Sequence, residues 1–139
     1  MLDVDGARQL VSPIYDALTV PGEKDVEGLI KSVTSADFES CQNEGNCADR
    51  NSMIARFKAL AGVVPDLHWA IREIFIFGDT IVVRGEATGT PVKTFLGAEP
   101  TGRSFRTMSI DIYTITNSLI SRSYHVENWV LALRQIVGA

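Results

Sequence analysis

The sequence predicts an α+β fold in which N-terminal helices pack on a curved antiparallel sheet, a cone-shaped α+β barrel. Three observations lead there. The first half carries apolar residues at helical spacing. After Pro65 the pattern changes to β-branched and aromatic runs separated by turn residues. The chain has 139 residues, 45% hydrophobic and 22% charged, which suits one globular domain over residues 1–139.

The elements follow in order. Residues 7–19 place Leu10, Ile14, Ala17 and Leu18 on one helical face. Pro13 lies inside that pattern and either occupies the first turn or kinks the helix. VPGEK (20–24) is a turn, and Val26, Leu29, Ile30 and Val33 define a second helix. SADFES reads as a short extended piece, followed by a polar loop over 40–48. Asp49 is an N-cap for a third helix with Ile54, Phe57 and Ala61 toward the core, flanked by Met53 and Leu60 and stopped by Gly62 and Pro65.

Four strands come next, at 67–78, 80–90, 104–115 and 119–129, and VLALRQI supplies a last short helix. Gly78-Asp79 and Asn117-Ser118 are the hairpin turns, and 91–102 is a long loop. Helices on one side of such a sheet leave a cone-shaped pocket, a common place for a small-molecule site.

Composition excludes several functions. The net charge is −4, which argues against nucleic-acid binding. No run of about 18 apolar residues exists, so no membrane span is expected. The N-terminus MLDVDGARQL has no secretory pattern, and the expected compartment is the cytoplasm. There, Cys41 and Cys47 default to free thiols, although a disulfide is sterically open to them. With two His and two Cys, no zinc-type ligand set is expected.

The runs PDLHWAIREIFIFGDTIVVRGEATGT, FLGAEPTGRSFR and IDIYTITNSLISRSYHVENWVLALRQIVG together resemble the SnoaL-like polyketide cyclase family, within the nuclear-transport-factor-like superfamily. The resemblance implies an apolar pocket for a small hydrophobic or polycyclic ligand. It implies ring closure by intramolecular aldol condensation, or isomerisation, without metal or cofactor. It also implies a homodimer through the outer sheet face. The family's acid/base is an Asp near the end of the last strand, and Asn128 occupies that position in Tyr124-His125-Val126-Glu127-Asn128-Trp129. An amide does not titrate near neutral pH. Two readings stay open: a cofactor-independent cyclase or isomerase using another base, or a non-catalytic binding domain.

A two-residue turn at Asn117-Ser118 without a bulge pairs Tyr113 with Arg122, Asp111 with Tyr124, Ser109 with Val126 and Thr107 with Asn128. Asp111, Tyr113, Arg122, Tyr124 and Asn128 then share one face, opposite Ile110, Ile112, Ser123, His125 and Glu127. On that register Asp111 is the leading substitute acid/base, and an Asp111–Arg122 ion pair is the structural alternative. Glu127 and His125 are weaker catalytic candidates, pointing the other way. Asn128, Tyr124, Tyr15, Trp69 and Trp129 are the expected substrate-binding residues.

Trp69, Phe75, Phe77 and Trp129 read equally as pocket wall or core. His68 is expected to face outward. Gly85 either enlarges the pocket or permits a bulge. Both parities of 67–78 are apolar, which suggests cover on both faces, the outer one from a second subunit.

Overall fold

The computed structural model describes residues 2–138. The order is α1 (Val4–Ala17), a 3-10 turn (Pro21–Glu23), α2 (Val26–Val33), β1 (Thr34–Asn43), β2 (Asn46–Asp49) and α3 (Arg50–Val63). Then come β3 (His68–Phe77), β4 (Thr80–Gly89), β5 (Phe105–Thr116), β6 (Leu119–Glu127) and α4 (Trp129–Val137).

The six strands form one sheet in the order β2-β1-β6-β5-β4-β3. It is an open, mixed sheet, because β1 runs parallel to β6 while every other pairing is antiparallel. The expected antiparallel sheet is present as β3–β6, and the antiparallel β1–β2 hairpin joins it through the parallel β1–β6 pairing. The β1–β2 hairpin, expected as a short extended piece plus a polar loop, supplies the difference.

The helices begin where their caps dictate. Asp3, Asp25, Asp49 and Asn128 each accept a backbone N–H from the first turn of the helix that follows. Pro13 sits well inside α1. The carbonyl it leaves without a donor belongs to Gln9, an exposed residue, so water can satisfy it. Gly62 lies within α3 rather than ending it. The stop comes from Pro65, which disfavours helical geometry at Val64 (φ −130°, ψ 76°).

The core lies between the helices and one sheet face. Ala7, Val11, Ile14 and Tyr15 of α1 and Val26 and Ile30 of α2 meet Trp69, Ile81, Val83, Phe105 and Tyr113 of the sheet. Phe75 and Phe77 are 53% and 85% exposed, so they belong to neither core nor pocket wall. They pair with Val82 and Thr80 on the outer face, while Ile74 and Ile76 take the inner one. A fully apolar strand hides which parity points inward, and only its partners decide that. His68 is exposed, as expected.

Cys41 and Cys47 stand directly opposite in the β1–β2 hairpin and are joined by a disulfide. The free-thiol default gives way because the hairpin brings the two residues face to face. Among the described residues no helix is long and apolar enough to cross a membrane.

The β5–β6 register departs from the bulge-free one. The two-residue turn is present, with Asn117 and Ser118 both left-handed (φ 52° and 66°), and Thr116 pairs with Leu119. Beyond Ile115–Ile120 the next pair is Thr114–Arg122, so Ser121 is an extra residue on β6. Its hydroxyl is held by the Thr116 hydroxyl (2.9 Å) and the Thr114 carbonyl (3.2 Å). The bulge inverts the parity of everything after it. Asp111 now pairs with His125, Ser109 with Glu127 and Tyr113 with Ser123.

Gly85 is buried beside a second bulge, where β3 gains Arg72 between the Ile71–Gly85 and Glu73–Arg84 pairs. A Cβ there would come within 2.7 Å of Ser109 Oγ, 3.1 Å of Trp69 Nε1 and 3.3 Å of the Ala70 carbonyl. Gly85 thus leaves room for the buried Trp69–Ser109 hydrogen bond (2.9 Å). Gly85→Ala should destabilise the fold by about 1–3 kcal/mol through overpacking, read as a lower midpoint in urea denaturation.

Candidate active site

A cavity of about 410 Å³ opens between α1, α3 and the inner face of the sheet. Most of its wall is apolar: Leu18 at the C-cap of α1, Phe57, Leu60 and Val63 from α3, and Phe95 and Leu96 from the loop after β4. Trp69 and Trp129 line it edge to face, with ring centroids 6.3 Å apart. The 90–104 loop is pinned by a Phe95–Ala98 bridge. This bridge seats Phe95 against Phe105 (5.7 Å) and Trp129 (5.5 Å).

Into this wall project Tyr15, Asp111, Tyr113, His125 and Glu127. They form a single hydrogen-bonded chain. The Tyr15 hydroxyl donates to Asp111 Oδ2 at 2.6 Å. Its oxygen lies 2.8 Å from the Tyr113 hydroxyl, which must donate to it because Tyr15's own proton is committed to Asp111. Asp111 Oδ1 meets His125 Nδ1, and His125 Nε2 lies 2.5 Å from Glu127 Oε2. Both Asp111 oxygens are therefore engaged, and its side chain is nearly inaccessible. Glu127 uses one oxygen on His125, and among the described residues no hydrogen bond engages the other.

The electrostatics follow from this chain. Burial alone would depress the His125 pKa, but the Asp111 charge and the hydrogen bonds to Asp111 and Glu127 lift it to about 10. His125 is thus an imidazolium at neutral pH, with both nitrogens donating. Burial pushes the phenols of Tyr15 and Tyr113 well above their usual range, and the Asp111 charge adds to it, so both stay protonated donors. The Trp69 indole lies 5.7 Å from the His125 ring and is held in place by Ser109.

The structure places the remaining sequence candidates as follows. Tyr15, Trp69, Trp129, Asp111, His125 and Glu127 all line the cavity. The last three meet because the Ser121 bulge turns His125 and Glu127 inward. The same bulge turns Tyr124 and Arg122 outward. Tyr124 is 39% exposed, and Arg122 pairs with Glu39 (3.1 Å) instead of Asp111. Asn128 does not line the cavity; its side chain caps α4 through the Leu131 N–H at 3.2 Å.

The Tyr15–Asp111 contact spans 96 positions and had no sequence signal. Ser109 and the bulge were equally silent. The Thr116 and Ser121 hydroxyls, flanking the turn, are the one local hint. Among the described residues no group of His, Cys, Asp and Glu is arranged to hold a metal ion.

The comparisons with known proteins agree with this architecture. TsrD from Streptomyces laurentii superposes with a TM-score of 0.85 at 22% identity over 100% of both chains. IdmH from Streptomyces antibioticus, described as a candidate polyketide cyclase, gives 0.78 at 21% identity over 94% of this chain and 97% of its own. A Catenulispora acidiphila protein with a ketosteroid isomerase-like fold gives 0.72 at 15% identity, covering 93% of this chain and 92% of that one. At these identities the superpositions establish the fold. No curated protein matches the chain at a significant level. The SnoaL-like polyketide cyclase family model matches residues 15–136, nearly the whole chain. With its helices and sheet arranged as in these relatives, the chain belongs to the SnoaL-like polyketide cyclase family.

Proposed function

We propose that the cavity carries out cofactor-free acid–base chemistry on a carbonyl-rich, hydrophobic small molecule, by intramolecular aldol ring closure or isomerisation. The observation that carries this reading is the Asp111–His125–Glu127 line ending in a carboxylate oxygen free to meet a ligand. Glu127 is the base. It takes a proton from a carbon next to a carbonyl, and the resulting enolate closes on a second carbonyl. The new alkoxide takes the proton back, so Glu127 ends as it began. The imidazolium beside it offsets negative charge on the enolate. Asp111 positions His125 and is itself held by Tyr15, whose hydroxyl is in turn held by Tyr113.

Asn128, the departure from the family's pattern, favours the non-catalytic alternative, binding without turnover. The cap it makes weakens that alternative, since an Asp there would fill the same role outside the cavity.

One experiment separates the two. Proton exchange at the carbon between the carbonyls of benzoylacetone, followed by NMR in D2O, should be accelerated by the protein. Glu127→Gln should lower the acceleration by about 100-fold or more, while Asn128→Asp should leave it unchanged. Binding of the diketone with no exchange would establish the non-catalytic alternative.

The protonation state has its own consequence for stability. The folded pKa of His125, about 10, lies above the unfolded value of about 6.5, so its contribution is full below pH ~6.5 and is lost as pH rises toward 10. Thermal unfolding of the wild type should show Tm falling across that window. His125→Gln should flatten the fall, and an unchanged slope would refute the charged state.

The outer sheet face exposes Phe75, Phe77, Ile112, Tyr124 and Val126 between charged neighbours, a surface suited to a second copy of the chain. Sedimentation should find a dimer that Phe77→Glu weakens. A monomeric wild type would refute it. A cytoplasmic setting would expose the Cys41–Cys47 disulfide to reducing thiols.

A further inference from the structure

We infer that Arg56 makes this site selective for substrates that carry an acidic group, a carboxylate or an equally anionic enolised oxygen, at the end held nearest the solvent. The inference rests on the cavity being the substrate site proposed above and names the substrate class it takes. Arg56 is an exposed residue of α3, and its helix neighbours Phe57 and Leu60 line the same cavity. Among the described residues it is the sole Lys or Arg in the cavity wall. It has no ion pair or hydrogen bond among the described residues, whereas Arg72, Arg84, Arg106 and Arg122 of the sheet all lie on Glu carboxylates.

The charge count gives this cation a role. Asp111 and Glu127 are two carboxylates facing one imidazolium, which leaves the inner end of the cavity with a surplus negative charge. An anionic ligand entering such a site would be repelled unless a cation met its charge. Arg56 brings the cavity to neutrality, and its planar guanidinium matches a carboxylate with two parallel donors. Polar cover for the rest of such a headgroup is present. Ser40 and Gln42 line the cavity from β1, the strand α3 packs on, and among the described residues neither side chain finds a hydrogen-bond partner.

A carbonyl-rich ligand would then lie with its reacting carbon toward Glu127 and its acidic group toward Arg56. The apolar wall of Trp69, Trp129 and Phe57 would hold the rings between them. Neutral ketones of the same shape lose the outer contact and keep the wall.

The test uses anthraquinone-2-carboxylate and its methyl ester, two carbonyl-bearing polycycles that differ in charge, with binding followed by calorimetry. The wild-type protein should bind the acid about threefold to fivefold more tightly than the ester, a gap expected for one partly solvated ion pair. Arg56→Gln should erase that preference while leaving ester affinity in place, and Arg56→Lys should restore part of it. Raised salt should narrow the wild-type gap. Equal binding of acid and ester, a preference that survives Arg56→Gln, or binding of neither probe would overturn the inference. Glu127→Gln in the same assay keeps the two readings apart. It should lower the acceleration of proton exchange by the same factor of about 100 or more without weakening the preference for the acid, so loss of exchange alone speaks only to the proposed chemistry.

Discussion

Asp111 joins the helical layer to the sheet through one buried carboxylate. A charge taken out of water is costly unless every lone pair finds a donor. Here the two donors come from different layers, Tyr15 on α1 and His125 on β6, and Tyr113 on β5 itself donates to Tyr15 in turn. The arrangement constrains more than the site. The α1 helix must present Tyr15 at the cavity end of its buried face. β6 must present His125, and the cavity must exclude enough water for these bonds to be strong. Removing any member leaves a buried polar group without its partner, so the chain is a structural unit in its own right.

The second constraint is the Ser121 bulge, which serves the first. Without it, β6 would set Arg122 and Tyr124 beside Asp111, and the carboxylate would form an ordinary ion pair of the kind Arg122 makes with Glu39. One extra residue swaps that pair for an imidazolium and a second carboxylate. Bulges commonly re-aim side chains beside sites. Here the re-aiming converts the inner face of β6 from Arg-Tyr to Ser-His-Glu and sends the aromatic-aliphatic residues to the outer face.

Gly85 and the Trp69–Ser109 bond show the same logic in the wall. A residue without a side chain stands where a polar pair needs its volume, so Gly85 sets the position of an indole rather than enlarging the cavity. The disulfide does comparable work at the other edge of the sheet, closing the hairpin whose inner residues Ser40 and Gln42 reach the cavity.

Hydropathy spacing and caps were enough to determine the α+β class, the order of the main elements, the Asp49 cap and the two-residue turn at Asn117-Ser118, because these depend on interactions within a few residues. The resemblance in the second half pointed to the family, and Asp111, Glu127 and His125 were visible as titratable groups on adjacent strands. Their grouping was not. It rests on a one-residue bulge, on a contact from α1 and on the inner parity of strands apolar on both sides. Each of these is set by what lies across the sheet rather than along the chain. The outward turn of Phe75 and Phe77, the parallel β1–β6 pairing and the Cys41–Cys47 bond were decided by tertiary structure for the same reason. The cap made by Asn128 belongs with them: its residue type was plain in the sequence, but only the start of α4 shows that its side chain accepts the Leu131 N–H.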